Sequence, residues 1–499
     1  MNLGRAFFAV AIVGAGGLFA ACSGAAVSGP TPTPVPTGPC TLEIARHPLS
    51  VPPSGGRQFS VRPPPRAGAD VYPGSIEVQY RPGAPSAQAE AHLASIGATP
   101  QQVQALPDWV AYKLPVGTDA IRESAAIRAM PGILYAGPAR ARYLESAVVP
   151  NDTEFGTNAL ATQPGGDTTT AVQWDMWRVN MIDAWGITEG SGSVRIGVID
   201  TGYDVSAPDL DGKVDATAVF DNGNGQQATC AGVTVQDGDG HGTNVSGIAA
   251  AGTNNSLAVA GTGWNVHLVE VRVFPYPPAP GATSPPASTA DVAAGIGWAV
   301  SKGAKVINLS LGGAPCPDDP MEEAAIESAI AAGVTVVAAA GNESANQIDA
   351  PACDPGVISV GASRLDDFTN INAPPLEEIA TYSNFGPGLD VVAPGGEPTA
   401  AEIAACRDGS CDYLQWIFNL FSATGIGGGG SLAFFAGTSQ ATPHVSGIAS
   451  LMYSRDSSIT PAAVKLLFDT PANNDDICSR CAQEGHGRVN GFKLLSVTP

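Results

Sequence analysis

The chain has 499 residues, which predicts two or three folded units, one of them a large α/β core. Its 24 Lys and Arg stand against 46 Asp and Glu for a net charge of -22, a field that repels phosphate backbones and excludes nucleic acid as a partner. Gly (60) and Pro (42) are abundant while only 14% of residues are charged, a balance that excludes an acidic disordered chain and suits a loop-rich exported protein.

Residues 1–22 read as an export signal. Arg5 supplies the positive start, Ala6 to Phe19 are apolar, and Ala20 and Ala21 precede Cys22. The stretch is too short to span a membrane. Its end resembles a bacterial lipobox, with Phe19 where Leu is usual, which implies lipidation of Cys22; ordinary cleavage would instead leave a thiol there. Residues 23–70 follow as a Pro-rich tether, TPTPVPTGP being a stiff extended spacer, with two short strand-like runs at Thr41 to Ile44 and Gln58 to Val61.

From residue 71 the pattern changes. SIEVQYRPG reads as a strand into a turn, AQAEAHLASIG as a helix stopped by Gly97, and WVAYKL as a strand. A second helix at Asp119 to Met130 and the strand GILYAG complete a β-α-β-β-α-β order, so residues 71–145 are expected to form a small α+β unit of split βαβ type. Asn151 to Thr170 is polar and Gly-rich, predicting an exposed linker open to cleavage. Residues 146–499 then alternate apolar β-branched runs (VRIGVID, HLVEVRVF, KVINLSL, VTVVAAAG, VISVGA) with helical stretches (TNVSGIAAA, TADVAAGIGWAVSKG, MEEAAIESAIAAG). That is the pattern of a doubly wound parallel sheet covered on both faces, whose ligands bind at the carboxyl ends of the strands.

Nine cysteines are an awkward number where thiols pair, and setting Cys22 aside leaves an even set. Cys316 with Cys353 would join two loops flanking the strand that ends at Ala340, and Cys406 with Cys411 would close a small loop. Cys478 and Cys481 form a CxxC without zinc or thioredoxin context and read as structural.

Chemistry gathers at the strand ends. VRIGVIDTG ends a buried strand on Asp200, GDGHGTNVSG sets His241 between glycines at a helix start with Thr243 placed for capping, and GTSQATPHVSG puts Ser439 at the start of a helix containing Pro443. In that order DTG, HGT and GTSxATPH resemble the subtilase family of serine proteases, over Gln173 to Leu495. The resemblance implies a serine endopeptidase acting on proteins and peptides, with Ser439 as nucleophile, His241 as general base and Asp200 orienting the imidazole. It further implies Asn342 in AAAGNES as the oxyanion donor. Ser310, Leu311 and Gly312, with Ala339 and Gly341 opposite, would be the walls that receive an extended substrate. Asp349 would lie near the floor of the side-chain pocket, where an acid would favour a basic residue. NNSLAVAG resembles the family's calcium loop, implying a structural Ca²⁺ held by Asp209, Thr253, Asn255, Leu257 and Val259, with Gln173 as a further candidate. Residues 71–145 resemble the family's inhibitory propeptide, an intramolecular partner removed by cleavage between about Arg140 and Asp152. The expected location is outside the cytoplasm, as a bacterial cell-surface or outer-membrane lipoprotein, with membrane contact through the lipid anchor alone.

Asn244, Gln440, Ser246 and Ser446 depart from the family pattern, replacing His, Met, Ala and Ala, and Ala400 to Ser431 reads as a lengthened loop. The rival reading is a surface-tethered binding protein with an inactive protease fold, which a missing triad member would have favoured.

Overall fold

The computed structural model describes residues 71–498 apart from 83–85, 103–107, 116, 141–147, 156–172, 230–232, 278–283, 318, 366–376, 398–415, 423–431 and 478–482. The export signal, Cys22, the tether, Cys406 and Cys411, and the CxxC pair lie outside the described residues.

The small unit runs β1 (Val71–Tyr80), α1 (Ala87–Ser95), β2 (Thr99–Gln102), β3 (Trp109–Lys113), α2 (Ala120–Arg128) and β4 (Ile133–Arg140). Its antiparallel sheet has the order β2-β3-β1-β4, as the β-α-β-β-α-β pattern requires. Alternate residues of β1, Ile76 and Val78, meet Leu93 and Ile127 in a core of their own. Ser86 caps α1 by accepting from the Ala89 amide.

The large unit opens with the short helices α3 (Trp174–Arg178) and α4 (Met181–Trp185) and then the strand β5 (Arg195–Asp200). Next come β6 (Val214–Val219), α5 (His241–Ala250), β7 (His267–Arg272), α6 (Thr289–Ser301), β8 (Val306–Leu309), β9 (Ala314–Pro315), α7 (Pro320–Ala331) and β10 (Thr335–Ala339). They are followed by β11 (Asp349–Ala350), β12 (Ile358–Leu365), β13 (Glu377–Ile379), β14 (Val391–Pro394) and the hairpin β15 (Ile417–Leu420) and β16 (Leu432–Phe435). The chain closes with α8 (Thr438–Arg455), α9 (Pro461–Phe468), β17 (Asn474–Asp475), β18 (Arg488–Val489) and α10 (Gly491–Val497).

The sheet order β6-β7-β5-β8-β10-β12-β14-β18-β17 is parallel from β6 to β18, with β13 and β17 added antiparallel. Side chains alternate between its faces. Ile196, Val198, Val337 and Ile358 face the side packed by Val245 of α5 and Leu451 of α8. Ile199, Ile307 and Val336 face the side packed by Ile296 of α6 and Ile326 of α7. Burial on both faces explains the unbroken apolar runs. The chain leaves β5 for one sheet edge and returns past it to β8, so the carboxyl end of β5 is the switch point where α/β sheets bind ligands.

Of the expected linker Asn151 to Thr170, residues 156–170 lie outside the described residues, and its first residues are not all exposed. Asp152 and Phe155 are buried, Phe155 lying 5.9 Å and 6.0 Å from the Trp177 and Trp185 rings, and the Val148 amide donates to Ile182 O. An aromatic anchor and a buried carboxylate outweigh local polarity. The two units meet where β1 lies against α10 and Gly117 packs on Leu466 of α9.

Candidate active site

Asp200 ends β5 fully buried, and its Oδ1 accepts from the Thr201 amide at 2.7 Å and pairs with His241 Nδ1 at 2.8 Å. Its Oδ2 is buried without a hydrogen-bond partner, so the His241 ring is the main sink for the carboxylate's charge. Burial pulls the His241 imidazole down, but the charge and hydrogen bond of Asp200, with Asp239 and Asp237 behind it, outweigh this and hold it up at about 9. His241 stands on the first residue of α5, reached through Gly240 at φ 105°. A Cβ on Gly240 would lie 2.1 Å from the Phe421 ring, so both the turn and the contact require glycine.

Thr243 is not the cap that its position predicts. Asp237 takes the Asp239 and Gly240 amides on Oδ1 and the Thr243 amide and hydroxyl on Oδ2, while Thr243 Oγ1 accepts from the Asp204 amide. A buried carboxylate at a helix N-terminus serves more of the orphan amides than a hydroxyl can.

Ser439 lies in the first turn of α8, half-buried. Its hydroxyl donates to Ser310 O at 3.1 Å, and Ser310 Oγ donates back to Ser439 O at 2.8 Å. The structure thus joins Asp200 to His241 directly and ties Ser439 to the Ser310 wall. Asn342 is exposed just beyond β10, and its Oδ1 accepts from the Thr438 amide at 2.9 Å and the Thr438 hydroxyl at 3.0 Å. With Oδ1 fixed on the residue before Ser439, the amide NH₂ is the end left to meet an oxyanion. The pairing of β8 with β10 ends at Leu309 and Ala338, so Ser310, Leu311 and Gly312 follow the end of one strand while Ala339 and Gly341 lie at and beyond the end of the other.

Each family departure has a polar partner. Gln440 Nε2 donates to Asn244 Oδ1 at 3.1 Å, and Asn244 Nδ2 to Leu420 O at 3.1 Å, so the His and Met replacements answer one another and pin the β15 hairpin to both helices. Ser446 donates to Asn308 Oδ1, whose Nδ2 donates to Ser310 Oγ. Ser246 donates to buried Glu270. Cys316 and Cys353 form the expected disulfide.

At the loop 253–259, Asp209 Oδ1 accepts from Asn255 Nδ2 at 2.7 Å and Oδ2 from the Val259 amide at 3.0 Å. Asn255 Oδ1 accepts from the Leu257 amide, and the Thr253 hydroxyl bridges Ala251 O and Gly261 O. Gln173 spends both ends of its amide on Ala260. Sequence reasoning missed Asp152, whose carboxylate accepts the Asn254 and Asn255 amides at 2.9 and 3.0 Å. Burial, with the charge of Asp209 adding, pushes it up to about 7, and burial lifts Asp209 to about 6. Asp152 and Asp209 thus bring two buried carboxylates to one loop, hard oxygen ligands of the kind that suit a divalent cation.

The model of the subtilase family, a peptidase family, matches residues 191–487. A thermophilic serine proteinase of Bacillus sp. (strain AK1) is 32% identical over 430 residues, covering 85% of this chain and 87% of that protein. Thermitase of Thermoactinomyces vulgaris is 32% identical over 324 residues, covering 65% of this chain and 95% of that one. An extracellular protease of Xanthomonas campestris pv. campestris is 34% identical over 362 residues, covering 66% and 54%. Among solved structures, one of proteases from Pseudoalteromonas arctica superposes with a TM-score of 0.55 at 26% identity, over 70% of this chain and 100% of that one.

Proposed function

The chain belongs to the subtilase family of serine endopeptidases, and we propose on that premise that it cleaves protein chains with Ser439 as nucleophile, His241 as base and then acid, and Asp200 as the orienting acid. The observation that carries this is the buried Asp200 carboxylate bonded to His241 Nδ1 at 2.8 Å. Nδ1 then holds the ring proton and Nε2 accepts. Ser439 Oγ bonds to the scissile carbonyl carbon as its proton passes to Nε2. Asn342 Nδ2 and the Ser439 amide hold the resulting oxyanion. Collapse expels the amine, which takes that proton from Nε2, and water then hydrolyses the acyl-enzyme through the same base. Ser310, Leu311 and Gly312, with Ala339 and Gly341 opposite, would hold the substrate as an extended strand. With each of these groups present, an inactive binding protein is not favoured.

Residues 71–145 act as propeptide on this reading. Support comes from their βαββαβ order and from a relative whose similarity, at 430 residues, reaches past the matched family domain. Because Asp152 and Phe155 are anchored in the large unit, cleavage falls at residues 141–147. Export is supported by the signal-like start and the extracellular relative; Cys22 would carry the lipid. Calcium would be held by Asp209, Asp152, Asn255 and the carbonyls of Thr253, Leu257 and Val259, and when bound it would cross-link this loop to the start of the large unit. Chelator should therefore lower the melting temperature of the mature protein, and Asp152→Asn should abolish calcium uptake in calorimetry.

The test of the activity is hydrolysis of casein and fluorogenic peptides by the wild type against Ser439→Ala, with intact mass to follow maturation. A cleaving, self-shortened wild type beside an inert full-length variant supports the proposal. Equal activity in the variant refutes it.

A further inference from the structure

The Gly437 amide donates to Gly395 O at 3.0 Å, so the carboxyl end of β14 lies beside the nucleophile and its amino end lies about 16 Å away along the strand. At that amino end three side chains from separate stretches of chain converge: Asp390 just before β14, Asp469 just after α9, and His486 in the loop that leads into β18. One ligating atom of each lies within 4.8 Å of the others. Their backbones are held in place. The His486 amide donates to Asp390 O at 2.6 Å, and Gly485, at φ 61°, lets the loop close on the same carbonyl, since a Cβ there would lie 2.5 Å from Asp390 O. The Asp469 amide donates to Lys465 O at 2.8 Å where α9 ends. Asp390 Oδ2 accepts from the Ser359 amide at 2.9 Å, the Ser359 hydroxyl at 3.1 Å and Lys465 Nζ at 2.5 Å, which leaves Oδ1 without a hydrogen bond among the described residues.

We infer that Asp390, Asp469 and His486 form a structural site for a zinc-class divalent cation, at the end of the sheet remote from Ser439. The inference stands independently of the protease reading above. His486 has an idle imidazole: neither ring nitrogen has a hydrogen-bond or ion-pair partner among the described residues, although two carboxylates stand close enough to share one ion with it. The ring lies beyond hydrogen-bonding distance from both acids, which leaves room for an ion between the three. The charge is also unbalanced. Lys465 pairs with Asp390 at 2.5 Å and reaches Asp469 only at 3.5 Å, one ammonium against two acids. Burial, with the Asp390 charge adding, pushes the Asp469 carboxyl above its ordinary range. A divalent ion supplies the charge that Lys465 does not. The donor types select the ion, because a neutral imidazole beside carboxylates suits zinc and its neighbours, whereas calcium takes oxygen ligands alone. Three protein ligands leave the fourth tetrahedral position to water, and Asp469 and His486 are only half-buried, so water and metal can enter. Bound there, the ion would tie β14, α9 and the loop before β18 together, and its effect would fall on stability rather than on turnover.

The test is calorimetric titration of zinc chloride into the full-length chain bearing Ser439→Ala, so that nothing is digested during the measurement, after the protein has been stripped by chelator and refilled with calcium. One zinc per chain is expected, with a higher melting temperature in its presence. His486→Ala and Asp469→Asn should each weaken that uptake at least about tenfold and remove the zinc-dependent rise in melting temperature. His486→Ala takes away a side chain that bonds nothing, so cooperative melting without zinc should persist and the lost uptake reports a lost ligand. Cys478→Ser with Cys481→Ser should take up zinc as the parent does. No uptake by the calcium-filled parent overturns the inference, as does uptake that survives both ligand variants or that is lost with the two cysteines, either of which would put the metal elsewhere. None of these outcomes bears on whether Ser439 attacks peptides, which the casein and fluorogenic assays decide separately.

Discussion

Replacing Asp200 by Asn should change the shape of the pH profile as well as its height. The rise of His241 from 6.5 to about 9 amounts to roughly 3 kcal/mol of preference for the imidazolium. Most of the upward pull comes from one buried carboxylate, since Asp239 and Asp237 act after it. The imidazole must be neutral to accept the Ser439 proton, so kcat/KM of the wild type should rise with pH along a limb ending near 9 and be suppressed below it. In Asp200→Asn the opposing burial acts on an uncharged neighbour, and the limb should move down toward or below 6.5. The plateau should fall about 10⁴-fold, the loss seen when other triads lose their acid. The penalty is therefore about 10⁴-fold at pH 10 but shrinks to below about 10²-fold at pH 6, where the wild-type imidazole is largely protonated. The assay is hydrolysis of an anilide peptide from pH 5 to 11, with a foreign protease site placed at residues 141–147 so that both proteins are matured identically. A penalty equal at both pH values, or a limb that stays put, would refute the electrostatic reasoning.

Arg488, buried between Glu377 and Asp475, holds the C-terminal strands to the sheet, and Arg488→Leu should cost about 3 kcal/mol by removing the cation shared by two carboxylates and leaving Glu377 with no salt-bridge partner among the described residues, measured as a fall in urea midpoint. Burial opposes ionisation of Asp475, but Arg488 and Lys493 win and hold it below its ordinary 3.8; that stabilisation is present above 3.8 and lost as pH falls further, so the cost should shrink in acid. Cys316→Ser with Cys353→Ser opens a loop of sequence separation 37 and should remove about 4 kcal/mol in the chain-entropy account, seen as a lower melting temperature. Gln440→Met should convert a peroxide-resistant enzyme into one inactivated by peroxide, and it should cost about 1 to 3 kcal/mol because Asn244 Oδ1 loses its donor.

Features written in contiguous residues were legible in the sequence. The parallel sheet follows from unbroken β-branched runs, the small unit from its alternation, and Asp200, His241 and Ser439 from motifs that each set one group at a strand end or helix start. Features made by residues far apart in the chain were not. Asp237 caps α5 through a turn whose acids look interchangeable in sequence, and Asp152 meets Asn254 and Asn255 across more than 100 residues. The polar departures were visible one by one, but only the fold shows that Gln440 and Asn244 compensate each other. The burial of Asp152 and Phe155 at the start of the expected linker has the same origin, for a polar string carries no sign that its Asp and Phe are gripped from outside.

The most direct measurement is the site of fluorophosphonate attachment in the matured protein, found by intact mass and then peptide mapping. One adduct per chain, on Ser439, lost in Ser439→Ala and greatly slowed in His241→Ala, is the expected result. A folded, shortened chain that takes no adduct, or takes it elsewhere, would contradict the account.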